Sequence, residues 1–104
     1  MKEFSKLERA LLCMQNALLD AVTPALRAVI VDVDVDTKTL YYFFFYDGEI
    51  SDELFDLASV ASCEAGTNLS DYFTDDTIER VDYPKKIPFT RGKYAYLRKE
   101  PLNP

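Results

Sequence analysis

The stretch VDVDVDTKTLYYFFFYDG, residues 31–48, decides how this chain folds. Valines alternate with aspartates in its first part, which predicts a β-strand with one apolar face because successive side chains of a strand point to opposite sides. Six aromatic residues follow in a row, and the short polar break at Thr37 and Lys38 predicts a hairpin between two strands. Three of the six rings must then face one side of the sheet and three the other.

The register of this hairpin decides which rings reach the core. With an even number of residues in the loop, Val35 lies opposite Leu40 and Val33 opposite Tyr42, whereas an odd number exchanges the two aromatic sets. We expect the even register because short even loops are common in hairpins. The side chains that then join the valine face are Leu40, Tyr42, Phe44 and Tyr46. The opposite face carries Asp32, Asp34, Asp36, Tyr41, Phe43 and Phe45.

Helical and extended patterns flank the hairpin. Apolar residues recur at steps of three and four from Phe4 to Val22, the period of an amphipathic helix, and Pro24 marks its end. A second helix is predicted from the N-cap Ser51 to about residue 65, with Gly66 as its stop. Residues 67–76, TNLSDYFTDD, are interpreted as a polar connection. Residues 77–83 and 93–99 alternate in polarity and are predicted to be strands.

The element order α-β-β-α-β-β predicts one α+β domain over residues 1–104. The expected architecture is a two-layer sandwich, in which a four-stranded antiparallel sheet carries both helices on one face. Each half of the chain would contribute a helix followed by a hairpin. The 104 residues are the usual size of one domain. A sheet of this kind can leave its second face to solvent.

Charge and composition narrow the possible functions. The chain has 12 basic and 18 acidic residues, and its net charge of −6 opposes binding to nucleic acid and to anionic membranes. The same charge favours a basic protein partner, although solubility alone would also explain it. Cys13 and Cys63 are expected to be free buried thiols, with a disulfide between packed helices as the alternative. Without a signal-peptide pattern or a membrane-length apolar run, we expect a cytoplasmic protein.

The sequence carries no catalytic pattern that we recognise, so we expect neither an enzyme nor a cofactor or metal. It has no histidine, no phosphate loop and no zinc-ligand spacing. Asp32, Asp34 and Asp36 match the first half of a calcium-binding EF-hand loop, but Thr37 stands where that loop requires glycine. A Mg²⁺ site on the three aspartates is the remote alternative, and the sequence shows no basic cluster beside them to hold substrate phosphates.

A sheet face of aromatic rings edged by carboxylates needs a physical explanation, because large apolar patches usually mark interaction sites. Three explanations stay open: the loops after Gly66 and Pro84 cover the rings, two copies of the chain pack sheet to sheet, or another protein binds there. In the last case the aspartates pair with Lys and Arg of the partner and the rings supply contact area. The candidate binding residues are Asp32, Asp34, Asp36, Tyr41, Phe43 and Phe45, with Glu49, Asp52 and Glu53 extending the acidic rim.

Several short segments give the chain a resemblance to known proteins. They are the amphipathic first helix, the acidic strand, FYDGEISDE (residues 45–53), RVDYP (80–84) and YLRKE (96–100). In these segments the chain resembles small acidic bacterial proteins of largely unknown role, and it is similar to immunity proteins of contact-dependent or polymorphic toxin systems. The resemblance implies a cytoplasmic, non-catalytic inhibitor that binds a toxin domain, often a nuclease, and blocks its active site. The alternative is a homodimeric structural or regulatory module of unknown ligand.

Overall fold

A computed structural model describes residues 2–100, except for the side chains of residues 2–5 and of Asn68. The elements are α1 (Lys2–Ala17), a 3₁₀ turn (Leu18–Asp20), β1 (Leu26–Asp34), β2 (Thr39–Tyr46), α2 (Asp52–Gly66), a second 3₁₀ turn (Thr67–Leu69), β3 (Phe73–Arg80) and β4 (Lys93–Leu97). The predicted α+β class, with two α-helices and four strands, is confirmed. The order differs from the predicted α-β-β-α-β-β by the two 3₁₀ turns. The predicted place of Phe4 on the apolar stripe lies outside the described side chains.

The sheet is mixed, so the prediction of a wholly antiparallel sheet is wrong. Its strand order is β3-β2-β1-β4, in which β1 pairs antiparallel with β2 and β4 while β3 runs parallel to β2. The cause is α2, which returns the chain from the end of β2 to the start of that strand, as in any βαβ unit. Within the described chain β3 and β4 therefore do not form the predicted second hairpin, and they lie at opposite edges of the sheet.

The β1–β2 hairpin has the predicted faces but not the predicted pairs. Val33 lies opposite Leu40 and Val31 opposite Tyr42, whereas the predicted register set Val35 opposite Leu40. Because the shift is an even number of residues, the same rings still share a face with the valines. The aromatic set predicted for the core therefore does reach it.

The turn of this hairpin explains the shifted pairing. The Oδ1 atom of Asp34 accepts hydrogen bonds from the main-chain N–H groups of Asp36 at 3.0 Å and of Thr37 at 3.3 Å. Aspartate commonly closes turns in this way. Val35 and Asp36 consequently belong to the turn, so the valine–aspartate alternation of the sequence continues beyond the end of the strand.

Both helices pack on the valine face of the sheet, where the main core lies. Its buried members include Met14, Ala17, Val29, Val31, Leu40, Tyr42, Phe44, Tyr46, Ala58, Ala61 and Ala65. Val22, the last residue of the predicted apolar period, is exposed instead, as is Leu19. The chain tightens into a 3₁₀ turn at Leu18, and a turn of three residues no longer keeps later side chains on that stripe.

The two ends of α2 match the sequence prediction unequally. Ser51 is the N-cap, and its side chain accepts a hydrogen bond from the N–H of Leu54 at 3.2 Å, as predicted. Gly66 is the last residue of α2, within one residue of the predicted end, but its φ of −82° is helical and is not the left-handed conformation of a glycine stop. A Cβ atom at this position would lie 3.0 Å from Cγ2 of Thr74. The missing side chain therefore lets β3 approach α2 closely.

Cys13 and Cys63 do not form a disulfide. Cys13 is half-buried in α1, whereas Cys63 is exposed on α2. The alternative of a disulfide between the helices is therefore wrong in this structure. The expectation of burial also fails for Cys63, because the inward positions of α2 are taken by its neighbours Ser62, Ala61 and Ala65.

A long loop covers part of the second sheet face. Residues 81–92 leave β3, cross the face away from the helices and enter β4 at the opposite edge. Val81 and Ile87 of this loop pack against a small second apolar cluster of Ala28, Ile30 and Phe45. Phe45 is left only 2% exposed. The loop-cover explanation therefore holds for this half of the face.

Candidate protein-interaction surface

The half of the second face that the loop leaves uncovered lies on β2, on β3 and at the end of β1. Directly paired residues share a face, so Asp32 lies beside Tyr41 and Tyr41 beside Asp75. At the end of the hairpin, Thr39 lies between Asp34 and Phe73. We call the following side chains the acidic–aromatic surface: Asp32, Asp34, Tyr41, Phe43, Phe73, Asp75 and Glu79.

The rings of the acidic–aromatic surface are exposed to different degrees. Phe73, on the edge strand, is 73% exposed, whereas Tyr41 and Phe43 are half-buried. The Tyr41 and Phe43 rings stack with centroids 6.5 Å apart and planes 9° from parallel. Asp75 is exposed beside them. Exposed rings next to carboxylates provide both contact area and charge to a protein partner.

Arg91 closes one side of this surface. Its Nε donates a hydrogen bond to Oδ2 of Asp32 at 2.6 Å, and its guanidinium carbon lies 4.1 Å from the centroid of the Tyr41 ring. The hydrogen bond to Asp32 is the main cause that raises the pKa of Arg91. The next residue, Gly92, has a φ of +80° and packs against the carbonyl of Val31. These contacts fix the end of the covering loop to the hairpin.

The structure places most of the predicted hairpin residues on this surface. Asp32, Asp34, Tyr41 and Phe43 belong to it, and Asp36 is exposed in the adjoining turn. Phe45 does not belong to it. Its ring is buried beneath the covering loop and offers no contact area to a partner, which corrects that part of the prediction.

The three acidic residues predicted to extend the rim lie elsewhere. Glu49 follows the far end of β2, while Asp52 and Glu53 occupy the first turn of α2, and all three are exposed. The five residue-to-residue steps from Tyr41 to Tyr46 span about 17 Å at the usual rise of a strand. These carboxylates therefore form a separate acidic group, with its own place at the N-terminal end of a helix.

The sequence interpretation missed the β3 members of the surface, Phe73, Asp75 and Glu79. It assigned residues 67–76 to a connection, whereas β3 begins at Phe73. The segment FTDDTIER shows no period-two alternation of polarity, because Ile78 is the one strongly apolar residue on its inward side. Only the parallel pairing with β2 brings Asp75 beside Tyr41, and no local pattern states that pairing.

A buried ion pair fixes the covering loop at the other end of the face. Arg27 is 3% exposed and donates from Nε and Nη2 to the two carboxylate oxygens of Glu100, at 2.7 and 2.9 Å. Its Nη1 donates to the carbonyls of Val81 and Lys85, both at 2.8 Å. The hydrogen bond from Arg27 is the main cause that lowers the pKa of Glu100. A shift in register at Arg27 marks a β-bulge, a feature that commonly redirects a side chain.

A basic cleft of about 590 Å³ opens beside this ion pair. Its lining includes Tyr83, Lys85, Lys86, Tyr94, Arg98 and Lys99. Arg98 is held there by Asp47 at 3.1 Å and by Glu100 at 2.9 Å. The second face of the protein thus carries acidic side chains at the hairpin end and basic side chains at the opposite end.

The predicted aspartates have structural partners. Asp32 pairs with Arg91 and Asp34 closes the turn. Among residues 2–100 no group of three or more His, Cys, Asp or Glu side chains is arranged to hold a metal ion. Over the same residues none of the helices has the length and apolar character to cross a membrane.

The fold and the acidic–aromatic surface define a small acidic α+β protein with features suited to binding another protein. Residues 8–100 match the family model described as MafI2 immunity protein. The match covers most of the chain, and the chain belongs to this family. The family is one of non-catalytic inhibitors, so the protein is an immunity-type inhibitor that binds a toxin partner. The predicted similarity to immunity proteins of polymorphic toxin systems is therefore confirmed. No curated protein matches the chain.

Proposed function

We propose that this protein neutralises a basic toxin domain of the nuclease kind by covering its cationic active site with the acidic–aromatic surface. A nuclease must hold phosphates with Lys and Arg, so an acidic inhibitor is complementary to it. The net charge of −6 supports fast encounter with such a target. The observation that carries the proposal is the exposed ring of Phe73 beside the exposed carboxylate of Asp75, on an uncovered sheet face.

The residues of the surface have different roles in this proposal. Phe73 and the stacked pair of Tyr41 and Phe43 supply apolar contact area, and rings of this kind dominate binding energy at many interfaces. Asp34 and Asp75 pair with Lys and Arg of the toxin. The exposed Asp36 lies at the rim of the contact. The separate carboxylates of Glu49, Asp52 and Glu53 add to the long-range attraction.

The target class is tested by capture from the cell. The tagged protein is exposed to lysate of its source cell at low and moderate salt, and the retained protein is identified by mass spectrometry. We expect one basic protein that is released as the salt concentration rises, that arrests growth when expressed alone and that cleaves nucleic acid. Co-expression of the inhibitor should restore growth. A neutralised toxin that is acidic, or that leaves nucleic acids intact, would show that the proposed target class is wrong.

The surface is tested by a pair of charge reversals with equal effect on net charge. Asp75→Lys changes a residue of the acidic–aromatic surface, while Glu8→Lys changes an exposed residue of α1 in the helical layer. Asp75 is preferred to Asp32 and Asp34 because those two also hold the fold. We expect Asp75→Lys to weaken toxin binding at least tenfold, about 1.4 kcal/mol, with Glu8→Lys near the wild-type affinity. Equal affinities in two folded variants would exclude the proposed surface.

The homodimeric module remains the competing function. Sedimentation of the wild-type protein at micromolar concentration separates the two, because the inhibitor needs no stable dimer. A stable dimer that Asp75→Lys dissociates would assign the surface to self-association.

A further inference from the structure

Strand β3 forms one outer edge of the sheet, and its main chain shows which groups face outward. Phe73 donates its N–H to the carbonyl of Lys38 at 2.8 Å, and Val81 donates to Tyr46 at 2.8 Å. In a parallel pair, alternate residues direct both main-chain groups to the same neighbouring strand. The odd-numbered residues of β3 are therefore bonded to β2. The residues whose N–H and C=O groups face away from the sheet are Thr74, Asp76, Ile78 and Arg80.

This edge is open, and within residues 73–80 its protection is limited to charged side chains. Residues 73–76 are exposed, and no strand among residues 2–100 pairs with the outer side of β3. Its pairing with β2 runs from Phe73 to Arg80 without a bulge. Edge strands that avoid pairing are usually short, bulged, interrupted by proline, or charged, most often with lysine. The opposite edge, β4, has five residues, begins with Lys93 and has a bulge in its pairing, whereas β3 has eight residues and neither a lysine nor a bulge.

Most registers that would pair β3 with β3 of a second copy oppose like charges, whereas a pair centred on Ile78 sets Asp76 opposite Arg80. A two-fold antiparallel pair centred on Asp75 or on Asp76 sets that aspartate opposite itself. A pair centred on Thr77 sets Asp75 opposite Glu79. Like charges directly opposite each other destabilise a sheet. The same carboxylates attract a basic strand.

We propose that β3 is the site where a basic extended segment of the toxin adds to the sheet as a fifth strand. This inference rests on the proposed function and specifies how that inhibitor holds its target. Main-chain hydrogen bonds to the outward groups of β3 give such a contact its affinity, and alternating side chains give it specificity. We choose the antiparallel direction because antiparallel pairs are the commoner kind. Lys or Arg would then lie opposite Glu79, Asp76 and Asp75.

The spacing of these carboxylates sets the spacing of the basic residues in the added strand. A strand that runs antiparallel to β3 meets Glu79 first, Asp76 three residues later and Asp75 at the next residue. The residues opposite Asp75 and Glu79 face the acidic–aromatic surface, and the residue opposite Asp76 faces the helical layer. The target segment therefore has basic residues at positions one, four and five of its contact.

A synthetic peptide tests this pairing with the wild-type protein. The probe has eight residues. Lysines occupy its second, fifth and sixth positions, valines its third and seventh, and threonines the others. Binding is followed by changes in the amide NMR spectrum. We expect saturable changes centred on β3, with the outward N–H groups of Asp76 and Ile78 among the most affected. Changes spread over all acidic regions, or centred elsewhere, would overturn the proposal.

Methylation of peptide nitrogens separates strand pairing from charge attraction. In the proposed register, the third and seventh residues of the peptide direct their N–H groups to β3, while the fourth and eighth direct theirs away. N-methylation of the first pair should abolish binding, and N-methylation of the second pair should change the dissociation constant less than threefold. The charge is the same in both peptides, so equal affinities would contradict the pairing.

Two substitutions of one residue test the edge in the full inhibitor. Asp76→Asn removes the charge, and Asp76→Pro removes the charge together with an outward N–H group that β2 does not use. We expect the proline variant to bind the captured toxin at least tenfold more weakly than the asparagine variant, provided circular dichroism shows both folded. Equal binding would overturn strand addition while leaving the inhibitor function intact. If the peptide binds at β3 but the protein neutralises no toxin, only the proposed function is contradicted. If the wild-type protein is a dimer that Asp76→Pro dissociates, the edge binds a second copy of the chain.

Discussion

Arg27 is a charged residue inside a buried strand, and its partners offset the cost of burying its charge. Burial of a guanidinium is costly unless the charge is paired and its N–H groups are bonded. Glu100 supplies the counter-charge, and the carbonyls of Val81 and Lys85 take the remaining Nη1 protons. The side chain thereby joins β1, the covering loop and the segment after β4. Arg27 is therefore both a core residue and an anchor of the second face.

Removing the carboxylate from this pair should destabilise the fold strongly. We expect Glu100→Ala to lower the free energy of unfolding by about 3 kcal/mol, because it leaves a buried guanidinium without its counter-charge. The matched control is Asp71→Ala, whose ion pair with Lys38 is 4.0 Å long and exposed on both sides. That substitution should cost less than about 1 kcal/mol. Urea unfolding followed by circular dichroism measures both, and similar losses would show that the Arg27 pair contributes little.

The same ion pair makes the free energy of unfolding depend on pH. The pKa of Glu100 is lower in the folded protein than its ordinary value of 4.5, so in acid the unfolded chain binds more protons than the folded chain. The contribution is therefore fully present above pH 4.5 and is lost as the pH falls through the lowered folded value. We expect the unfolding free energy of wild type to decline more steeply below pH 4.5 than that of Glu100→Gln. Parallel pH profiles would contradict this assignment.

Two buried tyrosines of β2 differ in what their hydroxyl groups do. The hydroxyl of Tyr42 is buried with no hydrogen-bond partner among the described residues, and burial raises its pKa. The hydroxyl of Tyr46 lies 3.5 Å from the carbonyl of Leu54 and can donate to it. We expect Tyr42→Phe to be neutral or to stabilise by about 1 kcal/mol, and Tyr46→Phe to destabilise by about 0.5–1 kcal/mol. Thermal and urea unfolding of the two variants test this, and the reverse order would show that Tyr42 has a partner.

At the scale of elements, the covering loop depends on the glycine at its end. Gly92 and Gly48 both have positive φ angles, of +80° and +88°. A Cβ atom on Gly92 would lie 2.3 Å from the carbonyl oxygen of Val31, whereas the space around Gly48 is open. We expect Gly48→Ala to cost about 1–2 kcal/mol from backbone strain alone and Gly92→Ala to cost clearly more. Chemical unfolding compares them, and equal costs would mean that the loop end shifts freely.

The elements that the sequence predicts well are those with local causes. The hairpin faces follow from the alternation at residues 29–35 and an even turn, and the start of α2 follows from the capping side chain of Ser51. The position of β3 has no such cause. Its first four residues are exposed and three of them are polar, and its place beside β2 depends on the crossover through α2. The predicted antiparallel second hairpin fails for that reason.

The candidate surface was predictable to the same extent. The hairpin contributes Asp32, Asp34, Tyr41 and Phe43, all of which the alternating pattern places on one face. The burial of Phe45 could not be predicted from the sequence, because it depends on where a loop more than 35 residues later in the chain crosses the sheet. Arg27 did carry a signal. A charged residue inside the apolar run LRAVIV implies a buried partner, although nothing in the sequence identifies Glu100.

At the scale of the whole molecule, the two ends of the second face differ in charge. The acidic–aromatic surface lies at the hairpin end, and the cleft lined by Lys85, Lys86 and Lys99 lies at the other. A basic toxin would be attracted to the hairpin end and repelled by the cleft, so the charge distribution orients the encounter as well as accelerating it. Because salt screens such fields, we expect the association rate to fall steeply between about 0.05 and 0.3 M salt while the dissociation rate changes little. Stopped-flow measurements with the captured toxin test this, and a salt-independent association rate would contradict it.

The ion pair of Arg27 and Glu100 also has a consequence for the order in which the chain folds. Its partners are 73 residues apart, and contacts between distant residues must overcome the entropy of closing a long loop before they add stability. The β1–β2 hairpin and the unit formed by β2, α2 and β3 need only nearer contacts and can form earlier. Until β4 docks, the guanidinium of Arg27 remains hydrated among apolar neighbours, and the covering loop has no anchor at that end. The pair therefore distinguishes a chain that has formed only the hairpin and the unit of β2, α2 and β3 from one that has completed its fold.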